Sequence, residues 1–439
     1  MKLTKMNHKR QTWVLVSALR TAVLLAVVCA ATTAIGEEGL VKPRMAPRVI
    51  TVGGTGADVP AFTSDAIQIA VDALRATGGT VKLGSGTFVV SAPVKLYSGI
   101  SLAGDANATI LRKVDGFRTA MALDCGYGEL KVAVKNANGF KVGMGVIIQD
   151  AGSTGGWDPT TARITAIDGN ILFIDTYTVK DYQSDSNGTV SNACSLVEAV
   201  ECEDVRIANL TIEGNKGTND PLGGCRSGGL YLHKSRRCIV EGVKVRDFNG
   251  DGFSWQITED ITIRNCESSG CSNFGFHPGT GSVRTKMEDC ISQGNGTDGI
   301  FVCWRVQNGI FKGNFSYGNG RHGISIGHKD TDNIFENNHI YKNGEHGVYL
   351  RDEIEQNGAH RNTFRRNIVE NNGTKSGGYG FYVDGITSDI LIERNTIRDT
   401  GASSQKAGVF IGEKASKVEV RENQMSGHEK GDVVDKSDK

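Results

Sequence analysis

Eight segments of the chain share one pattern: a glycine, an apolar residue, an outward position, then an apolar residue again. They are Gly229-Leu-Tyr-Leu, Gly252-Phe-Ser-Trp, Gly275-Phe-His-Pro, Gly299-Ile-Phe-Val, Gly323-Ile-Ser-Ile, Gly347-Val-Tyr-Leu, Gly380-Phe-Tyr-Val and Gly408-Val-Phe-Ile, at steps of 23, 23, 24, 24, 24, 33 and 28 residues. Alternation with period two is the signature of a strand with one buried face. A second register accompanies it: Asn314, Asn338, Asn367, Asn395 and Asn423 recur 24, 29, 28 and 28 residues apart, and Cys266 and Cys290 extend the column upstream. A parallel column runs through Cys271, Asn295, Asn319, Asn343 and Asn372. Repeats of this length built only of short strands stack as coils about 4.8 Å apart, and inward amides can then bond coil to coil without an unpaired group. The expected fold is all-β, a single-stranded right-handed parallel β-helix.

Outside the repeats the pattern changes twice. Thr63-Ser64-Asp65 precedes apolar positions Ile67, Ala70, Val71 and Leu74, and Gly78-Gly79 closes the run, which predicts a capped amphipathic helix over the open first coil. Residues 47–113 are expected to hold this cap and the first coils. Residues 114–200 lose the period and carry strand-like pieces with a hairpin signal at Gly169-Asn170, predicting an inserted β-subdomain. The repeats then run over 201–427, and 428–439 reads as a frayed polar tail.

The stretch Asp65-Ala-Ile-Gln-Ile-Ala-Val-Asp-Ala-Leu, then Gly78-Gly-Thr-Val-Lys-Leu, Gly86-Thr-Phe-Val-Val-Ser and Pro93-Val-Lys-Leu-Tyr-Ser-Gly-Ile-Ser-Leu-Ala-Gly104, resembles the opening of pectate-lyase superfamily β-helix proteins. The resemblance covers about 50 residues and implies that fold. Those families carry a glycine- and aspartate-rich segment before the helix, where this chain has Gly56-Ala-Asp-Val-Pro-Ala-Phe62.

Composition narrows the function. Lys plus Arg equal Asp plus Glu at 49 each, so no basic footprint for nucleic acid exists. Lys2, Lys5, Lys9 and Arg10, an apolar run from Trp13 to Ala34 and small residues after it read as a secretory signal over 1–36, an uncleaved anchor being the alternative. Export, to a periplasm, cell surface or medium, with no stable membrane span after cleavage, is the expectation. Nine cysteines remain after Cys29; stacked free thiols suit Cys266 and Cys290, while Cys225 with Cys238, or Cys194 with Cys202, are the pairs spaced to clip loops.

Alternation points one column outward: Tyr231, Ser254, His277, Phe301, Ser325, Tyr349, Tyr382 and Phe410. Just before the glycines stand Asp251, Phe274, Asp298, His322, His346 and Tyr379; beyond the strands lie Trp304-Arg305, His328-Lys329, Arg351-Asp352 and Asp384. Singly, Asp or His before Gly is ordinary turn chemistry. Together, rings, cations and carboxylates on one face suit an acidic polysaccharide, with His277, Trp304, Arg305, Tyr349, Arg351, Asp352, Tyr382 and Asp384 as binding positions.

Arg321-His322-Gly-Ile-Ser-Ile-Gly327 resembles the Gly-His-Gly-x-Ser-Ile-Gly motif of polygalacturonases, Asn249-Gly-Asp251-Gly their Asn-Thr-Asp-Gly motif, and Thr297-Asp298-Gly-Ile lies where they place paired aspartates. The resemblance implies inverting hydrolysis by Asp251 and Asp298, with His322 orienting and Arg351 in the place of their lysine. Only one aspartate stands where they have two, Tyr349 replaces their arginine, and two coils, about 9.6 Å, separate Asp251 from Asp298. A second reading is a uronate lyase using His328 and Lys329, with calcium held by Asp330, Asp332, Asp352 and Glu353. A non-catalytic glycan-binding scaffold is the third.

Overall fold

The computed structural model describes residues 48–401 and 404–437; the expected leader lies outside them. Asparagine joins each coil to the next. Asn314 Nδ2 donates to Asn338 Oδ1 at 3.0 Å, and the bond repeats from Asn338 to Asn367, Asn367 to Asn395 and Asn395 to Asn423 at 2.9, 3.0 and 2.9 Å. The second column runs from Asn295 to Asn372 in the same way and ends on Gln405 Oε1 at 3.0 Å. A third pair, Asn333 to Asn362 at 3.1 Å, escaped the sequence pattern because it spans one step only. Between the columns the rings of Phe311, Phe335 and Phe364 stack at 4.6 and 4.8 Å.

Among the described residues the coils form three long parallel sheets of 12, 11 and 11 strands, a right-handed parallel β-helix. The glycine-led sheet runs from Val94–Leu96 to Val433–Asp435. Its glycines are dictated by close approach rather than by backbone angle: a Cβ on Gly323 would sit 2.3 Å from Ile340 Cγ2 and 2.8 Å from the Gly347 carbonyl oxygen. Helix α1, Ser64–Leu74, covers the first coils with Ile67, Ala70, Val71 and Leu74 buried, and Thr63 Oγ1 accepts from the Ala66 amide at 3.2 Å.

The insertion is a six-stranded sheet with its own small core around Val146, Ile148, Leu172 and Tyr182. Thr160–Asp168 and Ile171–Ile174 form the hairpin at Gly169-Asn170. The coils resume earlier than residue 201: Val197–Val200 pairs with Val94–Leu96 on one side and Leu230–His233 on the other, so the insertion is spliced between adjacent strands of one sheet. The polar C-terminus differs from a frayed tail, since Val433–Asp435 pairs with Val409–Ile411 through its backbone, which polar neighbours do not prevent. All nine described cysteines are free thiols, so neither clip between loops forms; Cys266 and Cys290 lie buried in the asparagine column. No helix among the described residues is long and apolar enough to cross a membrane.

Candidate functional site

Register bears out the outward column. Tyr231 faces Ser254, Ser254 faces His277, and Phe301, Ser325, Tyr349, Tyr382 and Phe410 follow in line. Trp255, at the inward phase, is buried and donates its indole N–H to Thr285 Oγ1 at 3.0 Å. What alternation did not reveal is that half of this face is roofed. A strap, residues 215–228, crosses the coils of Tyr231, Ser254 and His277. Tyr231 donates its hydroxyl to the Cys225 carbonyl at 2.7 Å, and Ser254 donates to the Gly224 carbonyl at 2.5 Å.

Beneath the strap lies a carboxylate–imidazole dyad. Asp251 Oδ2 is 2.6 Å from His277 Nδ1, while its Oδ1 accepts from Asn273 Nδ2 at 2.6 Å and from the Phe274 amide at 3.3 Å. Gly224 packs so closely that a Cβ there would fall 1.6 Å from Asp251 Oδ2. Asp251 is 0 % exposed and His277 3 %. A carboxylate at Nδ1 fixes the tautomer with the proton on that nitrogen, leaving a lone pair on Nε2. His277 Nε2 meets no protein partner among the described residues, and the ring stands at 76° and 71° to those of Phe274 and Phe301. Gln256 Oε1 and Arg351 Nε are likewise buried without a partner.

Asp251 is thus engaged with His277, a partner that the polygalacturonase resemblance did not imply. Asp298 is 1 % exposed, and burial, opposed by a hydrogen bond from the His322 amide at 3.1 Å, lifts its carboxyl to about 6. The residues before the glycines form a rung system: the His346 amide donates to His322 Nδ1 at 3.3 Å and the Tyr379 amide to His346 Nδ1 at 3.2 Å. Each imidazole must be neutral to accept, and burial lowers His322 to about 2 and His346 to about 4. Glu345, absent from the sequence-based candidates, stands 3.4 Å from His322 Nε2.

Beyond the strap the face is open. His322, His346, Tyr349, Tyr379, Tyr382 and Phe410 form a strip of rings with neighbouring centroids 4.7 to 5.5 Å apart. Along its far side, Trp304 is 39 % exposed and stacks on His328 at 4.8 Å, with the exposed Arg305 beside it. Trp304-Arg305 and His328-Lys329 both adopt paired left-handed conformations, φ 67°, 65°, 50° and 66°, which such side chains resist. Both nitrogens of His328 are engaged, Nδ1 with Cys303 Sγ at 3.1 Å and Nε2 with Glu353 at 2.5 Å, so it is not a free base; burial brings it down to about 4. Lys329 Nζ meets no protein partner among the described residues.

Arg351 is not a free uronate ligand either: it donates to Ser325 Oγ at 2.9 Å and the Val302 carbonyl at 2.7 Å, lies over the Phe301 ring, and neighbours the buried Asp330. Asp352 is exposed, and Asp384 caps the Gly385 amide at 2.9 Å beside Tyr382. The carboxylates considered for calcium are dispersed, Asp332 on Arg361 at 2.7 Å and Glu353 on His328. Among the described residues no group of three or more His, Cys, Asp or Glu is arranged to hold a metal ion.

Coils, outward strip and inward ladders define a parallel β-solenoid. The chain belongs to the right-handed β-helix family, whose profile, right handed beta helix region, matches residues 195–364 and 351–439. A second profile, rhamnogalacturonase A/epimerase, pectate lyase-like, matches 50–126, the segment of the sequence resemblance. Among solved structures the chain is similar to the A-module of Azotobacter vinelandii mannuronan C-5 epimerase AlgE6, at 16 % identity and TM-score 0.51 over 85 % of this chain and 94 % of that one. The A-module of epimerase AlgE4 from the same organism gives 17 % identity and TM-score 0.52 over 86 % and 96 %. These identities establish shared fold. No curated protein sequence matches the chain.

Proposed function

We propose that the protein acts on an acidic polysaccharide lying along the glycine-led face, and that His277, oriented by Asp251, removes the proton next to a uronate carboxylate. The observation that carries this is the dyad: a buried carboxylate fixes one imidazole nitrogen at 2.6 Å and the other, on the outward face, has no partner. An imidazole oriented through one nitrogen, with the other left without a partner, is a suitable general base. The open strip of rings beside it supplies platforms for sugar faces, and Arg305 and Lys329 supply cations at its edge. Proton removal at that carbon leads to elimination, or to inversion if the proton returns on the other face; the epimerase modules that share the fold make mannuronan a polymer to test.

Hydrolysis is the second reading, favoured by Asp298 alone. A carboxyl lifted to about 6 can donate a proton to a leaving oxygen, and Glu345, two coils along the same edge, is a second carboxylate whose charge reaches it. Incubating the purified protein with alginate, mannuronan, polygalacturonate and glycosaminoglycans, while following unsaturated-uronate absorbance, reducing ends and C-5 configuration together, separates the readings. Absorbance or inversion lost in His277→Ala supports the dyad; reducing ends without absorbance, lost in Asp298→Asn, transfers the assignment to hydrolysis. No conversion of any polymer, with binding retained, overturns both and leaves a glycan scaffold.

A further inference from the structure

A chamber lies on the same sheet where the inserted sheet and the end of the strap pack against the strands Val94–Leu96, Val197–Val200 and Leu230–His233. Its volume is about 330 Å³ and its wall includes Lys95, Glu198, Arg226, Tyr231 and His233. Glu198 and Tyr231 are register partners, and Val200 pairs with His233, so Glu198 and His233 are diagonal neighbours on the outward face. Their Cα atoms lie about 8 Å apart by strand geometry. The chamber is rigidly held: Lys95 Nζ bonds Asp175 of the insertion at 2.6 Å, Arg163 donates to the Pro93 carbonyl at 2.6 Å, and Arg226 donates to the Trp157 carbonyl at 2.8 Å while stacking on its ring.

Two groups facing this space are unsatisfied. The Glu198 carboxylate accepts no hydrogen bond among the described residues, and its nearest cation, Lys95 Nζ, is 3.9 Å away and already committed to Asp175. His233 Nε2 is buried with no partner, its ring 5.7 Å from that of Trp157. Burial lowers His233 to about 4, so its ring is neutral, and burial likewise raises the Glu198 carboxyl. With Lys95 paired to Asp175 and Glu201 to Lys234, Arg226 on the wall and Arg163, whose charge reaches Glu198 from behind it, stand against one acidic side chain, a net positive surround. A chamber this small, at the lower end of the roughly 300–1,000 Å³ typical of ligand pockets, takes a single sugar ring rather than a chain.

We propose that this chamber binds one hexuronate residue, its hydroxyls on Glu198 and His233 and its carboxylate toward Arg226. The site is separate from the His277 dyad, and the choice of a uronate rests on the chamber's own charge while agreeing with the acidic polysaccharide proposed above. Calorimetric titration of the purified protein with free galacturonate, glucuronate and mannuronate, against galactose, glucose and mannose, tests it. The expected result is binding of at least one uronate, about tenfold or more weaker for its neutral counterpart, and a further loss of about tenfold in Glu198→Ala and in His233→Ala. Lys312→Ala, exposed on the twelve-stranded sheet, leaves this binding unchanged. Absence of binding to all three uronates, equal binding of the neutral sugars, or indifference to both chamber substitutions overturns the proposal. Polymer conversion lost in His277→Ala with monosaccharide binding intact shows the two sites failing separately; retention of both chamber variants' native melting transitions guards against loss of fold.

Discussion

One sheet carries two unlike faces. Upstream of Phe301 the outward side chains are covered, by the insertion near Glu198 and by the strap over Ser254 and His277; downstream, Tyr349, Tyr382 and Phe410 remain half-buried on an open strip. The same alternation of side chains thus yields enclosed polar chemistry in one half and a sugar-sized ring platform in the other. The interiors differ too, with thiols at Cys266 and Cys290 under the roofed half and continuous asparagine ladders under the open half. The roofed half is braced by what covers it, the open half by what fills it.

Four substitution sets would break or sharpen that comparison. The largest effect is expected at the dyad: His277→Ala should lower turnover by about 10²–10⁴ with little change in polymer binding, and Asp251→Asn should follow it. Equal loss of binding would place His277 in structure rather than chemistry. Next is Asn338→Ala, which strands Asn314 and Asn367 groups in the core and should cost about 1–3 kcal/mol per unsatisfied group by denaturant unfolding. Cys266→Ala, in the same column, should cost less, because a thiol makes only weak bonds; a reversal would mean the ladder does not brace the open half. Tyr349→Ala and Tyr382→Ala should each weaken polymer binding by about 0.5–1.5 kcal/mol, with turnover at saturation preserved.

The smallest effect is a pH dependence. His322, His346, His328 and His233 have folded values of about 2, 4, 4 and 4, below the unfolded value of about 6.5. Below that value the unfolded chain binds more protons, so their contribution is complete above about 6.5 and is lost as pH falls. Asp298 and Asp330, lifted to about 6 and about 7, act oppositely, as do the raised Glu198 and Glu353, but the four histidine shifts together exceed the two aspartate shifts. Thermal melts should fall between pH 7 and pH 4, and His346→Asn, which keeps an acceptor on the rung without a titrating ring, should flatten the fall. A melt that rises on acidification would remove the neutral-rung account.

The fold was legible because its causes are periodic. Glycine steps, asparagine columns and the Thr63-capped helix each repeat or follow local rules, and register in a parallel stack converts spacing directly into position. The outward column was legible for the same reason. What covers it was not, since the strap and the insertion meet the sheet through contacts such as Gly224 on Asp251 and Lys95 on Asp175 that no period links. Asp251 and His277 were both singled out, one as a proton-transfer partner of Asp298 and the other as a binding position, but the bond between them was not legible, because it joins a turn to the next coil's strand. Glu198 and His233 carried no signal beyond their phase, and only the chamber walls give them meaning.

The asparagine ladders also set a rule for how such a chain grows. Asn314 and Asn338 occupy identical surroundings one coil apart, so duplicating the 24 residues between them would hand every amide the partner it already has. Extra residues that leave as a loop keep the ladder intact, as the steps of 28 and 29 show, whereas one residue added inside a strand would turn the rest of that strand inside out. Length is therefore quantised, and each added turn would extend the exposed platform by about 4.8 Å, the strand spacing. Reach along a polymer can be lengthened or trimmed by whole turns, without any change to the chemistry at its centre.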